Sequence, residues 1–362
     1  MKSSIINKKL SLIVATLISM SFLFMGCGAA DDMAPLPDGE PEWEDDAQFD
    51  VDEEVDFEED DVDDETDYWY LEEDDYEYDV GTGIHGLLSR INHGDNAVYI
   101  FGSMHYGRSN WYPLHEAVEA AMRWADVFVF ETDLSVAGQM AAASIMREYM
   151  MLNDGSLSEF LDEDAFIHLM EMVETYGITY EDIRHLTPWA ISIMLAETAY
   201  NQVGISANHG IDSYVMAFAD LNNRPIIHLN PIDHEMNLAL DIPSELQRYA
   251  ALGMVDLETA IREVEAMVLA YEVQEIGMIK FFARRDLIIT ESLDPLEEYL
   301  MDVIIIQRSM EFAREIIRLL EETEEPTNFF VTIGIGHMVG DDYGNVLNYI
   351  RNAGFEVVPM YY

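Results

Sequence analysis

Between Asp31 and Asp79 the chain carries 27 acidic residues and no Lys or Arg. Charge at that density repels itself, and Pro35, Pro37 and Pro41 near its start further oppose collapse. Residues 28–79 therefore read as an acidic, disordered tether that separates the first 27 residues from the rest of the chain. Interleaved aromatics, among them Trp43, Phe57, Trp69 and Tyr76, leave open a second role, gripping a cation or a basic partner. Any fold must come from residues 80–362, which retain 44 acids against 15 bases. Over the whole chain, 71 acids against 18 bases give a formal charge of −53, which excludes nucleic acid as a partner. A duplex-binding surface needs a basic face to displace counterions. With 49% hydrophobic residues, the chain is still able to bury a sizeable core.

The segment before the tether reads as an address. Lys2, Lys8 and Lys9 precede an uncharged run from Leu10 to Gly26, and the run ends at Cys27. A small residue directly before the chain's single cysteine resembles a bacterial lipobox, with Phe24 in place of the usual Leu. Residues 1–27 are accordingly expected to be a lipoprotein signal peptide, with Cys27 lipidated and holding the protein at the extracytoplasmic side of a cell membrane. An uncleaved anchor, or a signal with an incidental cysteine, is the alternative. One cysteine also excludes an internal disulfide framework, Cys-ligated zinc and thiol-pair redox chemistry. Any metal would have to be held by His and carboxylate.

Residues 97–101 and 127–130 are short apolar runs suited to buried strands, and Pro113 can open a helix between them. The end of the chain repeats the pattern: 329–333 as strand, 334–340 as loop, 346–352 as helix, and 355–358 as strand. Strand, helix, strand at both ends implies neighbouring parallel strands in one sheet. Between them, at about 137–323, apolar residues recur at three and four, interrupted by one strand candidate at 225–229. The expected fold is α/β: a central, mostly parallel sheet built from the N- and C-terminal parts of the domain, with a large helical middle layer or lid.

Two glycine–histidine turns carry the chemistry. Gly102-Ser103-Met104-His105 follows the first strand and Gly334-Ile335-Gly336-His337 follows the later one, so both histidines stand beyond the carboxyl end of a strand. In an open parallel sheet that edge is where ligands bind. If the two strands are neighbours, the imidazoles converge, and Glu131 at the end of 127–130 can join them. Two imidazoles and a carboxylate with an open position for water make a workable site for a divalent metal such as manganese, cobalt or zinc. Read singly, each histidine is equally a hydrogen-bonded turn residue and Glu131 a capping or solvated acid. Arg308 lies in a long apolar helix, where it is either salt-bridged at the surface or buried toward the site to hold an oxyanion or carboxylate.

The segment with YIFGSMHYG, YPLHEAVEAAMRWAD and FVFETD resembles the opening of the TraB/GumN family, whose relatives include the Tiki membrane-tethered metalloproteases. The closing FFVTIGIGHMVGDDYGNVLNYIRNAGFEVVPM resembles the family's end. Thr187-Pro188-Trp189, Gly210-Ile211-Asp212 and Arg308 fall where the family has its K-P-W, G-I-D and R-N elements. The resemblance covers about residues 87–359 and implies that His105, Glu131, Arg308 and His337 form the active-site set. His105 and His337 would be metal ligands, Glu131 a ligand or general base, and Arg308 an oxyanion stabiliser. The sequence departs at Ser309, where the family has Asn, and at Asn230, where the family's strand ends in L-E-T; Asp233 or Glu235 are candidates to replace that glutamate. The implied function is a membrane-anchored, metal-dependent hydrolase, a peptidase acting on a peptide or protein substrate. The alternatives are a non-catalytic binder that sequesters a secreted peptide, and a haem- or metal-binding protein on the same scaffold, since the fold also resembles erythromycin esterase and a haem-binding ChaN-type protein.

If the tether packs on nothing, deleting residues 31–79 leaves the melting temperature of the remaining domain nearly unchanged. Calorimetry of the two proteins checks this; a drop of more than about 5 °C, equivalent to roughly 1–2 kcal/mol at this size, would show that the tract packs on the core.

Overall fold

The computed structural model describes residues 84, 86–283, 295–340 and 344–360, without the side chains of residues 235, 239, 281 and 283. Residues 1–83, which include the expected signal peptide, Cys27 and the expected tether, lie outside the described residues. The fold is α/β, built on a six-stranded mixed sheet: β1 (Leu87–His93), β2 (Asn96–Ser103), β3 (Val127–Phe130), β4 (Ile226–His228), β5 (Asn328–Gly334) and β6 (Val357–Pro359). Their order is β4-β3-β5-β2-β1-β6. β2, β5, β3 and β4 run parallel, while β1 is antiparallel to both β2 and β6.

Strand neighbours differ from chain neighbours. β5 inserts between β2 and β3, and β6 pairs with β1 at the far side, so neither strand–helix–strand unit forms an adjacent pair. A crossover between β2 and β3 leaves space for a strand between them, and the apolar C-terminal strand fills it. The insertion sets Ser103 beside Gly334, and hence the two glycine–histidine turns side by side. β1 is an additional strand, joined to β2 through a tight turn in which Gly94 takes φ +58°, a conformation glycine reaches without steric cost.

Both faces of the sheet are covered, which explains why β2 is buried along its whole length. Tyr99, Phe101, Phe128, Phe130 and Phe330 point into the core shared with the helical middle. Val98, Ile100, Val129, Phe329, Val331 and Ile333 point to the opposite face. There they meet the helix Arg308–Glu322, whose Phe312, Ala313, Ile316, Leu319 and Leu320 form one apolar stripe, and the helix Val346–Asn352. The middle is helical as the three-and-four spacing predicts, with long helices at Glu163–Thr175, Pro188–Val203 and Leu257–Glu272, and β4 as the interrupting strand. Pro113 does not open the first of the helices; that helix is Glu116–Trp124, with His115 as its N-cap. Among the described residues no helix is long and apolar enough to cross a membrane.

Before the site, the helix entering at Pro295–Leu300 widens into a π-helical stretch, Met301–Gln307, and returns to α at Arg308. A π segment shifts the phase of the turns beyond it, and such segments recur at functional sites. Here it leaves the consecutive residues Arg308 and Ser309 both buried.

Candidate functional site

The carboxyl edge of β2, β5 and β3 holds a cluster of buried polar groups drawn from five stretches of chain. His105, Glu131, Arg308 and His337 are each no more than 4% exposed. They come together as the sequence pattern requires, although each is held by a partner of its own.

His105 is gripped by Asp212, its Nδ1 lying 2.6 Å from Asp212 Oδ2, while Ser103 Oγ donates to Asp212 Oδ1 at 2.9 Å. A carboxylate can only accept, so the proton of a neutral His105 sits on Nδ1 and the basic lone pair on Nε2. The Gly210-Ile211-Asp212 element makes this contact possible. A Cβ at Gly210 would collide with the His105 carbonyl oxygen, so only glycine lets the two backbones approach. Ile211 N–H donates to the Met104 carbonyl at 2.9 Å and Gly107 pairs with Ser206, locking the loop after β2 against the start of the Ile211–Leu221 helix. Tyr271 Oη donates to the Gly102 carbonyl at 2.7 Å and fixes the strand end beneath.

Glu131, one residue past β3, accepts from Arg308 Nη2 at 2.6 Å on Oε2 and from the Gly334 N–H at 2.5 Å on Oε1. The Arg308 guanidinium also lies over the Phe312 ring, 5.1 Å from its centroid. His337 Nε2 lies 4.0 Å from Glu131 Oε1, and Nδ1 of the same ring meets Ser309 Oγ at 2.9 Å. Ser309, which with Asn230 departs from the family pattern, thus orients His337 from the Arg308 helix.

Burial raises the energy of every charge in this cluster, and the neighbours decide the outcome. For Glu131, burial pushes the carboxyl up, but Arg308 first, then His337, His105 and the Gly334 N–H, outweigh it and hold the group below the usual carboxylate range. For His105, burial pushes the imidazole down, while the charge and hydrogen bond of Asp212, with help from Glu131 and against Arg308, leave it above its usual value. Glu131 is therefore held as an anion, poorly matched to taking up a proton near neutrality, whereas His105 is the group poised to exchange one.

The donors are only partly those a divalent metal needs. Both imidazoles have their Nδ1 fixed by an outer partner, the arrangement metal-bound histidines use. The carboxylates tell against it: Glu131 is already paired with the buried Arg308 guanidinium, and Asp212 is turned to His105 Nδ1 and Ser103 Oγ. Among the described residues, no group of three or more His, Cys, Asp or Glu is placed to hold an ion. As arranged, the set does not fit one.

Other sequence candidates fall elsewhere. Thr187 caps the helix Pro188–Val203, Pro188 fills its first position and Trp189 is buried in the core. Asn230 sits beside Glu131 through its backbone, N–H to the Glu131 carbonyl at 2.9 Å, but its side-chain amide donates to Glu311 Oε2 at 3.1 Å. His234 Nε2 shares that oxygen at 3.1 Å. Asp233 is exposed, and the side chain of Glu235 lies outside the described residues. Asp212, which the sequence offers as readily as a packing or capping acid as a site residue, lies in the site, and Ser103 carries no sequence signal of its own; the signal for both is a Gly-x-Asp helix start able to face a strand-end histidine.

Residues 87–359 match the TraB/PrgY/gumN family, and the chain belongs to it. A similar protein is the "Uncharacterized protein YbaP" of Escherichia coli (strain K12), 21% identical over 258 residues, covering 71% of this chain and 89% of that protein. The protein of the same name from Shigella flexneri aligns with the same identity and coverage. No solved structure matches the chain.

The charge arrangement fixes a two-sided pH dependence of stability. Glu131 binds its proton less readily folded than unfolded, so its contribution is present above the unfolded carboxylate value of about 4.3 and is lost as pH falls through its lower folded value. His105 binds its proton more readily folded, so its contribution is complete below the unfolded value of about 6.5 and is lost as pH rises through its higher folded value. Both contributions are in place between about pH 5 and 6. In urea unfolding across pH, Glu131→Gln is expected to flatten the acid limb and His105→Gln the alkaline limb. Variant curves parallel to wild type on both limbs would contradict the assignment.

Proposed function

We propose that this protein is a hydrolase, acting on a peptide bond at an extracytoplasmic membrane surface to which Cys27 anchors it. The observation that supports this most is the His105–Asp212 pair set beside the Glu131–Arg308 pair at the carboxyl edge of the sheet. His105 Nε2 takes a proton from water as the water attacks a substrate carbonyl, and Asp212 stabilises the imidazolium that forms. Arg308, which donates to Glu131 through Nη2, offers charge to the developing oxyanion. The imidazolium then returns its proton to the leaving amine. Glu131 keeps Arg308 in place throughout. The ion-dependent form of this reading, with manganese, cobalt or zinc on His105 and His337, rests on the resemblance and on donor type.

A second reading is supported by closure: His337 and Ser309 are fully buried and Glu131 and Arg308 nearly so, so a substrate reaches them only if the surrounding layer moves. A protein that binds and sequesters a peptide needs no such access. Membrane anchoring is supported by the basic start, the apolar run and Gly26-Cys27, and the acidic tether would lift the domain from an anionic surface.

Incubation of the purified protein with a mixed fluorogenic peptide library, with and without added metal, separates the readings. Hydrolysis by wild type is expected to fall by about 10²-fold or more in His105→Gln and Asp212→Asn, the usual contribution of a positioned acid–base group. Hydrolysis indifferent to both substitutions, or tight peptide binding with no cleavage, would overturn the hydrolase reading. Mass spectrometry of the mature N-terminus from a bacterial host tests the anchor, the expected species being a chain that begins at acylated Cys27.

A further inference from the structure

We propose that the cation serving this site is Arg308 itself, and that the Glu131–Arg308 pair stands where a bound divalent ion would otherwise balance the buried carboxylate. This holds whether the site hydrolyses a substrate or only binds one. Three independent observations carry it.

The first is occupancy of the acceptors. Glu131 takes the guanidinium on one oxygen and the Gly334 N–H on the other, and Asp212 takes Ser103 and His105. Each oxygen keeps a further lone pair, but an ion using Glu131 would sit against the guanidinium that already balances it, and the described residues offer no ready-made group of three.

The second is how Arg308 is delivered. It is 2% exposed, comes directly after the π-helical stretch Met301–Gln307 and lies over Phe312, so the chain commits local helix geometry and an aromatic face to placing this side chain. A guanidinium so enclosed has no route to solvent without unpacking its helix. A dication arriving beside it would be repelled through a medium of low dielectric.

The third is charge balance. The buried Glu131 carboxylate is balanced by the Arg308 guanidinium 2.6 Å away, each 2% exposed, so that pair is neutral without an ion. A dication added to that set would leave an uncompensated buried excess.

Removing the guanidinium should therefore create an ion site from Glu131 and the neighbouring His337. The test is equilibrium dialysis of the full-length protein against zinc, manganese and cobalt in turn, with elemental analysis of wild type, His105→Gln, His337→Gln, Arg308→Met and Arg308→Met/His337→Gln. The acidic tether takes up ions in all five proteins alike, so differences report the site. Wild type and the two histidine variants are expected to hold the same amount of each ion. Arg308→Met is expected to gain about one equivalent, lost again when His337→Gln is added, because metal affinity needs the deprotonated imidazole and carboxylate together. Loss of one equivalent in either histidine variant relative to wild type would overturn the proposal, as would a folded Arg308→Met that gains nothing. Should a variant fail to fold, cobalt absorption of wild type decides alone: a spectrum of carboxylate- and water-bound cobalt supports the proposal, and imidazole-bound bands contradict it.

Discussion

A carboxylate and a guanidinium 2.6 Å apart, each 2% exposed, join three parts of the chain that nothing in sequence brings together. Glu131 follows directly on β3, Arg308 begins the second half of a long helix on one face of the sheet, and the Gly334 N–H closes β5. Taking either charge out of water alone would cost several kcal/mol. The pair persists because each member is the other's partner and because a strand-end amide and an aromatic face satisfy part of what remains. Everything else at the sheet edge is arranged around it: His337 turns one ring nitrogen toward Glu131, and His105 feels both charges.

The same arrangement divides the work among groups that look interchangeable in sequence. Two histidines come after glycine-containing turns, yet Asp212 holds the first by its Nδ1 and Ser309 holds the second by its own. Two acids are buried, yet Glu131 is held ionised as an anchor while Asp212 orients a base. Environment, not residue type, assigns these roles.

How much of this is legible in the sequence depends on what is local and what is not. The runs at 97–101, 127–130 and 329–333 read as strands because a sheet covered on both faces needs continuous apolar sequence. His105, His337, Glu131 and Arg308 read as one set because glycine–histidine turns after such runs fall at one edge, and because the same residues match a family pattern. β1 escapes that reading: it carries Ser89, Arg90, Asn92 and His93 among its apolar residues and lacks a clean alternation. Strand order escapes it too, because the space between β2 and β3 is filled by a segment some 200 residues later, a matter of packing that no window of sequence displays. Asp212 looks ordinary because an acid in the first turn of a helix is favoured by the helix dipole alone. Only the close approach at Gly210 shows what it grips.

Glu131 and Arg308 are held to act as one unit, and a double-mutant cycle in urea unfolding at about pH 5.5, where both flanking contributions are in place, tests this most directly. Glu131→Gln and Arg308→Met are each expected to cost roughly 3–5 kcal/mol, since either leaves a buried charge without its partner. The double variant, which leaves neither charge, is expected to cost well under the sum, with a coupling of more than about 1 kcal/mol. Costs that add to within about 0.5 kcal/mol would mean that the two residues stabilise the fold independently, and would contradict the account.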